Sequence, residues 1–230
     1  HQYSFEADAT DTISFADGSL VGNAYVEGGA VVLDGAGAYV DLPNDLISSY
    51  PSVSLEVWFT DQGSGTWARL WDLGNSDAGE GSAGTGTSYA MVGLADGYVR
   101  GAYKLAGQPE QNLDIAPRPG PGARHHLVWT SDAEAGQAVL YVDGVRAGAN
   151  NALTYTPVTV GPTANDWLGR SQYGGDAYFK GSFSEFRIYA GILTPLEVAV
   201  NAATGPEEAE VAPGMITGMA VQVSETMILE

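Results

Sequence analysis

The stretch WLGRSQYGGDAYFKGSFSEFRIY (residues 167–189) decides the fold. Trp167–Arg170 and Phe183–Tyr189 are runs whose side chains fall alternately on two faces, the period of a β-strand. In the second run Phe183, Glu185 and Arg187 are expected on one face. Outward from this stretch the pattern repeats. Ser54–Phe59 sets Leu55, Val57 and Phe59 on one face and Ser54, Glu56 and Trp58 on the other. Val31–Leu33, Tyr39–Leu42, Arg69–Leu73, Tyr89–Leu94, Gly97–Tyr103, His126–Thr130 and Ala138–Val142 read the same way. Asp96-Gly97 and Asp143-Gly144 have the composition of tight hairpin turns, which need positive φ. Many short strands separated by turn signals predict an all-β, two-sheet antiparallel β-sandwich.

Composition agrees. The chain of 230 residues carries 31 Gly and 11 Pro, and only 16% of its residues are charged. Its length fits one large domain able to bury a core without staples. One short C-terminal helix is expected from Thr194-Pro195-Leu196-Glu197, a capping box with proline at the first helical position. Leu193 and Val198 are spaced as a hydrophobic staple, and Gly205-Pro206 ends the run. Trp58, Trp71 and Trp129 alternate within strands and are expected in the core. Two long loops are expected, Gly74–Thr87 and Leu105–Ala123. Residues 1–205 thus form the sandwich. Residues 206–230 read as an acidic linker (Glu207, Glu208, Glu210) and a strand-like tail opening a following domain, so attached domains of a larger protein are implied.

The charge balance is lopsided, with 28 acidic against 9 basic residues and a net charge of −19. Such a field repels phosphate backbones and anionic lipid, which argues against nucleic acid and favours a neutral ligand. There is no cysteine, which excludes disulfides, thiolate catalysis and cysteine-ligated zinc. No apolar run is long enough to insert in a membrane as a helix.

LDGAGAYVDLP (33–43), SLEVWF (54–59), RLWDLGN (69–75), HHLVWT (125–130), LYVDGV (140–145), the 167–189 stretch and LTPLEV (193–198) together resemble the laminin-G-like jelly roll of the concanavalin A-like lectin/glucanase superfamily, in its bacterial multidomain form. The resemblance implies a secreted, extracellular or cell-surface domain and a role in carbohydrate binding or adhesion. It also implies a structural Ca²⁺ tying the first strand to the last. The matching positions are Glu6, the Gly35 carbonyl and Ser184; relatives carry Asp where this chain has Ser184, a much poorer ligand for a hard cation. The family's glucanases need a carboxylate pair on one strand face. Neither Glu56 nor Glu185 has such a partner on its own strand, so no catalytic residue is assigned.

Sugar sites combine an aromatic face with planar polar groups. The residues near long loops that supply both are Trp67, Arg69, Asp72, Asn75, Tyr89, Trp167, Arg170, Gln172, Tyr173, Asp176 and Tyr178. Arg69, Asp72 and Arg170 are expected to form one network. The sequence therefore reads as a non-catalytic, lectin-like module that binds a polysaccharide through loops and a concave sheet. The alternative is a protein-adhesion or spacer module with no sugar ligand.

Overall fold

The computed structural model describes residues 1–206 and 212–215; the acidic linker and the strand-like tail expected after it lie mostly outside the described residues. The described chain folds as a sandwich of two antiparallel sheets. The first sheet runs β13 (Val145–Asn150), β12 (Gln137–Val142), β11 (Arg124–Asp132), β6 (Val53–Asp61), β15 (Lys180–Tyr189), β4 (Val31–Asp34), β3 (Tyr25–Val26), and β1 (Gln2–Tyr3) also pairs with β15. The second runs β10 (Gln111–Ile115), β9 (Val99–Lys104), β8 (Gly86–Leu94), β7 (Ala68–Ser76), β14 (Asn165–Leu168), β5 (Tyr39–Leu42) and β2 (Ser19–Val21). Two short helices, α1 (Pro157–Val160) and α2 (Pro195–Thr204), complete it among the described residues.

Alternation builds the core. Leu55, Val57 and Phe59 of β6 and Ala90, Val92 and Leu94 of β8 point into the one sandwich interior, which Trp71 and Trp129 help to fill. Gly101 on β9 is required there, because a Cβ would meet the Trp129 ring at 2.3 Å. Trp58 is buried as expected, yet on the other face of the first sheet, between the Arg187 guanidinium and the His126 ring.

Several expectations are corrected. A register shift between Phe183 and Glu185 puts an extra residue into β15. Phe183 consequently faces the core while Glu185 and Arg187 face outward, because one inserted residue reverses the phase of a period-two pattern. The expected loop Leu105–Ala123 contains β10, whose QNLDI has weak strand propensity and is fixed by pairing with β9. β13 escapes the sequence pattern for the same reason, and α1 is a second helix. Asp143 and Gly144 do take positive φ, at 49° and 79°, whereas at Asp96-Gly97 only Gly97 does.

α2 starts as its sequence dictates. The Thr194 N–H donates to Glu197 Oε2 at 2.8 Å and the Glu197 N–H donates to Thr194 Oγ1 at 3.3 Å. Leu193 and Val198 then pack with Val128, Val139, Tyr141 and Tyr189 on the outward face of the first sheet. Beneath the helix lies a sealed polar network. The Glu56 carboxylate accepts from Tyr189 OH at 2.6 Å and Asn201 Nδ2 at 3.1 Å, with His126 Nε2 at 2.8 Å. Arg187 joins it to Glu185, which also accepts from Gln2. Glu56 is 0% and Glu185 2% exposed, and with Arg187 between them these two carboxylates are parts of a helix-to-sheet lock.

Candidate functional site

The outward face of the second sheet is left open by α2, and its chemistry follows from strand phase. Since Ala90, Val92 and Leu94 point inward, Tyr89 and Met91 point outward, beside Ala102 of the neighbouring β9. Arg69 and Arg100 stand across the strands from Gly93. Gly93 makes the room, because a Cβ there would press Arg69 Nη1 at 3.0 Å.

A well of about 230 Å³ opens over Met91, walled by Trp67, Arg69, Tyr89, Arg100, Glu110, Tyr173 and Asp176. Its wall is continuous. Arg69 Nη2 donates to Asp176 at 2.9 Å, and both guanidiniums sit over Trp67, with centroid distances of 5.8 Å for Arg69 and 5.2 Å for Arg100. Arg100 Nη1 donates to Glu110 Oε1 at 3.0 Å, and Tyr89 OH donates to Glu110 Oε2 at 2.6 Å. The Tyr89 and Tyr173 hydroxyls are 3.4 Å apart. Ser171 Oγ then accepts from the Tyr173 N–H and donates to Asp176 Oδ2, closing the circuit.

Each wall is anchored from behind. Asp72 is fully buried; its Oδ2 accepts from Arg69 Nε and from the Gln172 N–H, both at 3.0 Å, so one carboxylate holds β7 and the 171–178 loop together. Burial pushes the Asp72 pKa up to about 6 against the pull of Arg69. Asp114 grips Arg100 through Nε and Nη2 at 2.7 and 2.8 Å, and Arg100 holds the Asp114 carboxyl below its usual range. Lys104 donates to Tyr173 OH at 2.8 Å and to the Gly86 carbonyl. Trp67 itself is held at φ 67°, a conformation rare for a bulky residue, with its N–H bonded to the Leu94 carbonyl at 2.7 Å. Backbone outliers of this kind cluster at ligand clamps.

Of the expected binding residues, Trp67, Arg69, Tyr89, Tyr173 and Asp176 line the well, and Asp72 and Gln172 lie behind it. Gln172 is spent on Asn165 and on backbone, and Asn75 on Ser88 and the Pro162 and Ala164 backbone. Arg170 does not join the Arg69–Asp72 pair. Its guanidinium stacks on Trp167 at 4.0 Å and on Tyr39 at 4.6 Å and donates to the Gly81 carbonyl, in a neighbouring aromatic cluster to which Tyr178 belongs. Trp167 is buried beneath it, its Nε1 donating to Asp41. Met91, Arg100 and Glu110 were not anticipated. The alternation Tyr89, Met91 and Arg100, Ala102 carried the signal for two of them, but only strand order brings β8 and β9 side by side.

The three expected calcium ligands do not converge. Gly35 abuts Lys180, at one end of the β4–β15 ladder. Ser184 lies past the Phe183–Val31 pair at the other end, roughly 13 Å along the strand at about 3.3 Å per residue. The Glu6 carboxylate approaches Gly29 instead. Calcium ligands sit within about 2.6 Å of the ion, so one ion does not take all three. Asp34, a nearby acidic alternative, accepts from the Ala36 and Ala38 N–H groups and from Asn23. Among the described residues no group of three or more His, Asp or Glu side chains is placed to hold a metal.

A larger hollow, about 420 Å³, lies against α2 on the opposite face. Its lining combines the small residues Ala199, Ala202, Ala203 and Gly144 with Trp58, Arg124 and Asp143, and its imidazoles are already engaged, His125 with Asp143 and His126 with Glu56. Its one aromatic ring besides the imidazoles, Trp58, is buried beneath the Arg187 guanidinium, so it presents no open ring face of the kind found in the well. Among the described residues no helix is long and apolar enough to cross a membrane.

Comparison with known proteins fits this architecture. No curated protein matches the chain. Domain 4 of AbnA, an extracellular arabinanase of Geobacillus stearothermophilus solved with arabinotriose, superposes with a TM-score of 0.70 at 23% identity, covering 87% of this chain and 96% of that one. The CBM40 module of a Ruminococcus gnavus sialidase, also solved with α2,3-sialyllactose, gives 0.55 at 14% identity over 66% of this chain and 82% of its own. The binding domain of botulinum neurotoxin DC gives 0.63 at 13% identity over 85% of this chain and 48% of that one. At these identities the likeness concerns the fold. A laminin-G-like family model matches residues 34–199, and the chain therefore belongs to the concanavalin A-like lectin/glucanases superfamily.

Proposed function

We propose that this chain is a non-catalytic carbohydrate-binding module that holds a neutral glycan in the well over Met91. The observation that carries the reading is the wall itself, in which three aromatic rings stand among guanidinium and carboxylate groups already fixed by one another. Rings offer apolar faces to a sugar's C–H groups, and prepaid polar groups meet its hydroxyls without a large ordering cost. Charge selects the ligand class. The cations Arg69, Arg100 and Lys104 are set against four carboxylates, Asp72, Asp176, Glu110 and Asp114, which leaves no surplus positive charge for an acidic sugar. Of the ligands solved with the neighbouring folds, a neutral oligosaccharide such as arabinotriose suits this wall and sialyllactose does not. The extracellular arabinanase domain and the sialidase module support placing the chain outside the cell, attached to further domains of a bacterial protein.

The test is titration calorimetry with a panel of neutral oligosaccharides and with sialyllactose. Binding is expected for a neutral member and not for sialyllactose. Trp67→Ala is expected to weaken it at least about tenfold, as for an aromatic anchor at the centre of an interface, with at most a small fall in melting temperature because the ring is only half-buried. Failure to bind any neutral glycan, or binding indifferent to Trp67→Ala, overturns the proposal.

A further inference from the structure

We propose that the well is a socket for one terminal sugar unit, entered end-on by the tip of a glycan chain. This rests on the carbohydrate reading above and adds the mode of recognition.

The argument is topological. A groove that binds the middle of a polymer must be open at both ends, so that the chain enters and leaves. Along the direction of β8 paired side chains stand at both ends of the well. At one end Trp67 carries both the Arg69 and the Arg100 guanidinium, whose residues pair with Gly93 from either side. At the other, Tyr89 bonds to Glu110 and approaches the Tyr173 hydroxyl. Across the strands the sides carry ion pairs as well, Arg69–Asp176 toward β7 and Arg100–Glu110 toward β10. Met91 forms a floor with no passage behind it, because the second face of β8 is the sandwich core.

Size points the same way. At about 230 Å³ the well is smaller than the roughly 300–1,000 Å³ of pockets that enclose drug-sized ligands. It suits a single ring, with later units of the chain pointing to solvent. The wall's donors and acceptors lie around the ring's edge, where the hydroxyls of an end unit are free and those of an internal unit are partly consumed by linkages. The aromatic rings and the Met91 thioether meet its C–H faces.

The experiment uses the whole chain and each neutral oligosaccharide of the panel that it binds. Every such glycan is offered at increasing length, and with either its reducing or its non-reducing end chemically capped. End-on capture predicts that affinity per chain end changes less than about threefold beyond the disaccharide, and that capping one of the two ends weakens binding by about tenfold or more. Met91→Trp, which raises the floor into the well, is expected to abolish binding while the chain, somewhat destabilised by the larger side chain, still unfolds in one cooperative transition. Affinity that climbs with each added unit and survives capping at both ends overturns the inference while leaving the carbohydrate reading intact. Binding by Met91→Trp at wild-type strength also overturns it, since the sugar would then lie elsewhere on the sheet. No binding by any neutral glycan overturns the underlying reading, and this one with it.

Discussion

Asp72 shows how one buried side chain sets the geometry of an exposed site. It touches no open surface, yet its Oδ2 fixes Arg69 on β7 and the backbone of the loop that carries Tyr173 and Asp176. Its Oδ1 has no partner, and burial costs the charged form enough to raise the pKa to about 6. The carboxylate is retained at a cost in folding free energy because Arg69 would otherwise be left half-paired in the sheet. Asp72→Ala is expected to destabilise the protein by roughly 2–4 kcal/mol, the cost of stranding a buried partner, and to weaken glycan binding as the two walls separate. Urea unfolding and calorimetry on the same preparation check both. An unchanged midpoint would mean that Asp72 does not carry the structural load assigned to it here.

At the scale of elements, α2 and the well are built on opposite sheets and are independent. Thr194→Ala removes the cap and is expected to cost about 1 kcal/mol while leaving glycan affinity unchanged, since α2 packs on the first sheet and the well lies on the second. Urea unfolding and calorimetry test the pair of outcomes. The cap was legible in the sequence because every determinant lies within five residues. Strand phase in β6 was legible for the same local reason. What could not be read locally was pairing: β10 and β13 are strands by virtue of their neighbours, and the bulge at Ser184 is visible only against β6. The site followed the same divide. Trp67, Arg69, Tyr89, Tyr173 and Asp176 announced themselves by residue type beside long loops. Glu110 reaches the wall only because a strand was formed where a loop was expected, and Arg170, of the right type, was carried by strand order to the Trp167 cluster instead.

For the whole molecule, the interior carboxylates decide how stability responds to pH. Asp166 points between the sheets, where its Oδ2 accepts from Thr163 Oγ1 and the Leu46 N–H and its Oδ1 has no partner. Burial pushes its pKa up to about 7, and Asp72 follows at about 6. A raised folded-state pKa means that the native state binds the proton more tightly than the unfolded chain does. Stability therefore falls as pH rises from the unfolded carboxylate pKa near 4 through these values, and levels off above about 7. Asp11, Asp34 and Asp114 have lowered values, held down by hydrogen bonds and, for Asp114, chiefly by Arg100. Their contribution is present above about pH 4 and is lost only below it, so the two sets leave a maximum near pH 4–5. Urea unfolding is expected to show the protein a few kcal/mol less stable at about pH 7.5 than at about pH 4.5, a slope opposite to that of a chain whose carboxylates are all paired. Asp166→Asn keeps an acceptor for Leu46 and Thr163 and cannot ionise, so it is expected to remove most of that slope and to be more stable than the parent chain at neutral pH. A mutant that keeps the full slope would move its origin away from Asp166, to Asp72 or to the net charge of −19, whose self-repulsion also grows with pH but is screened by salt where the buried group is not.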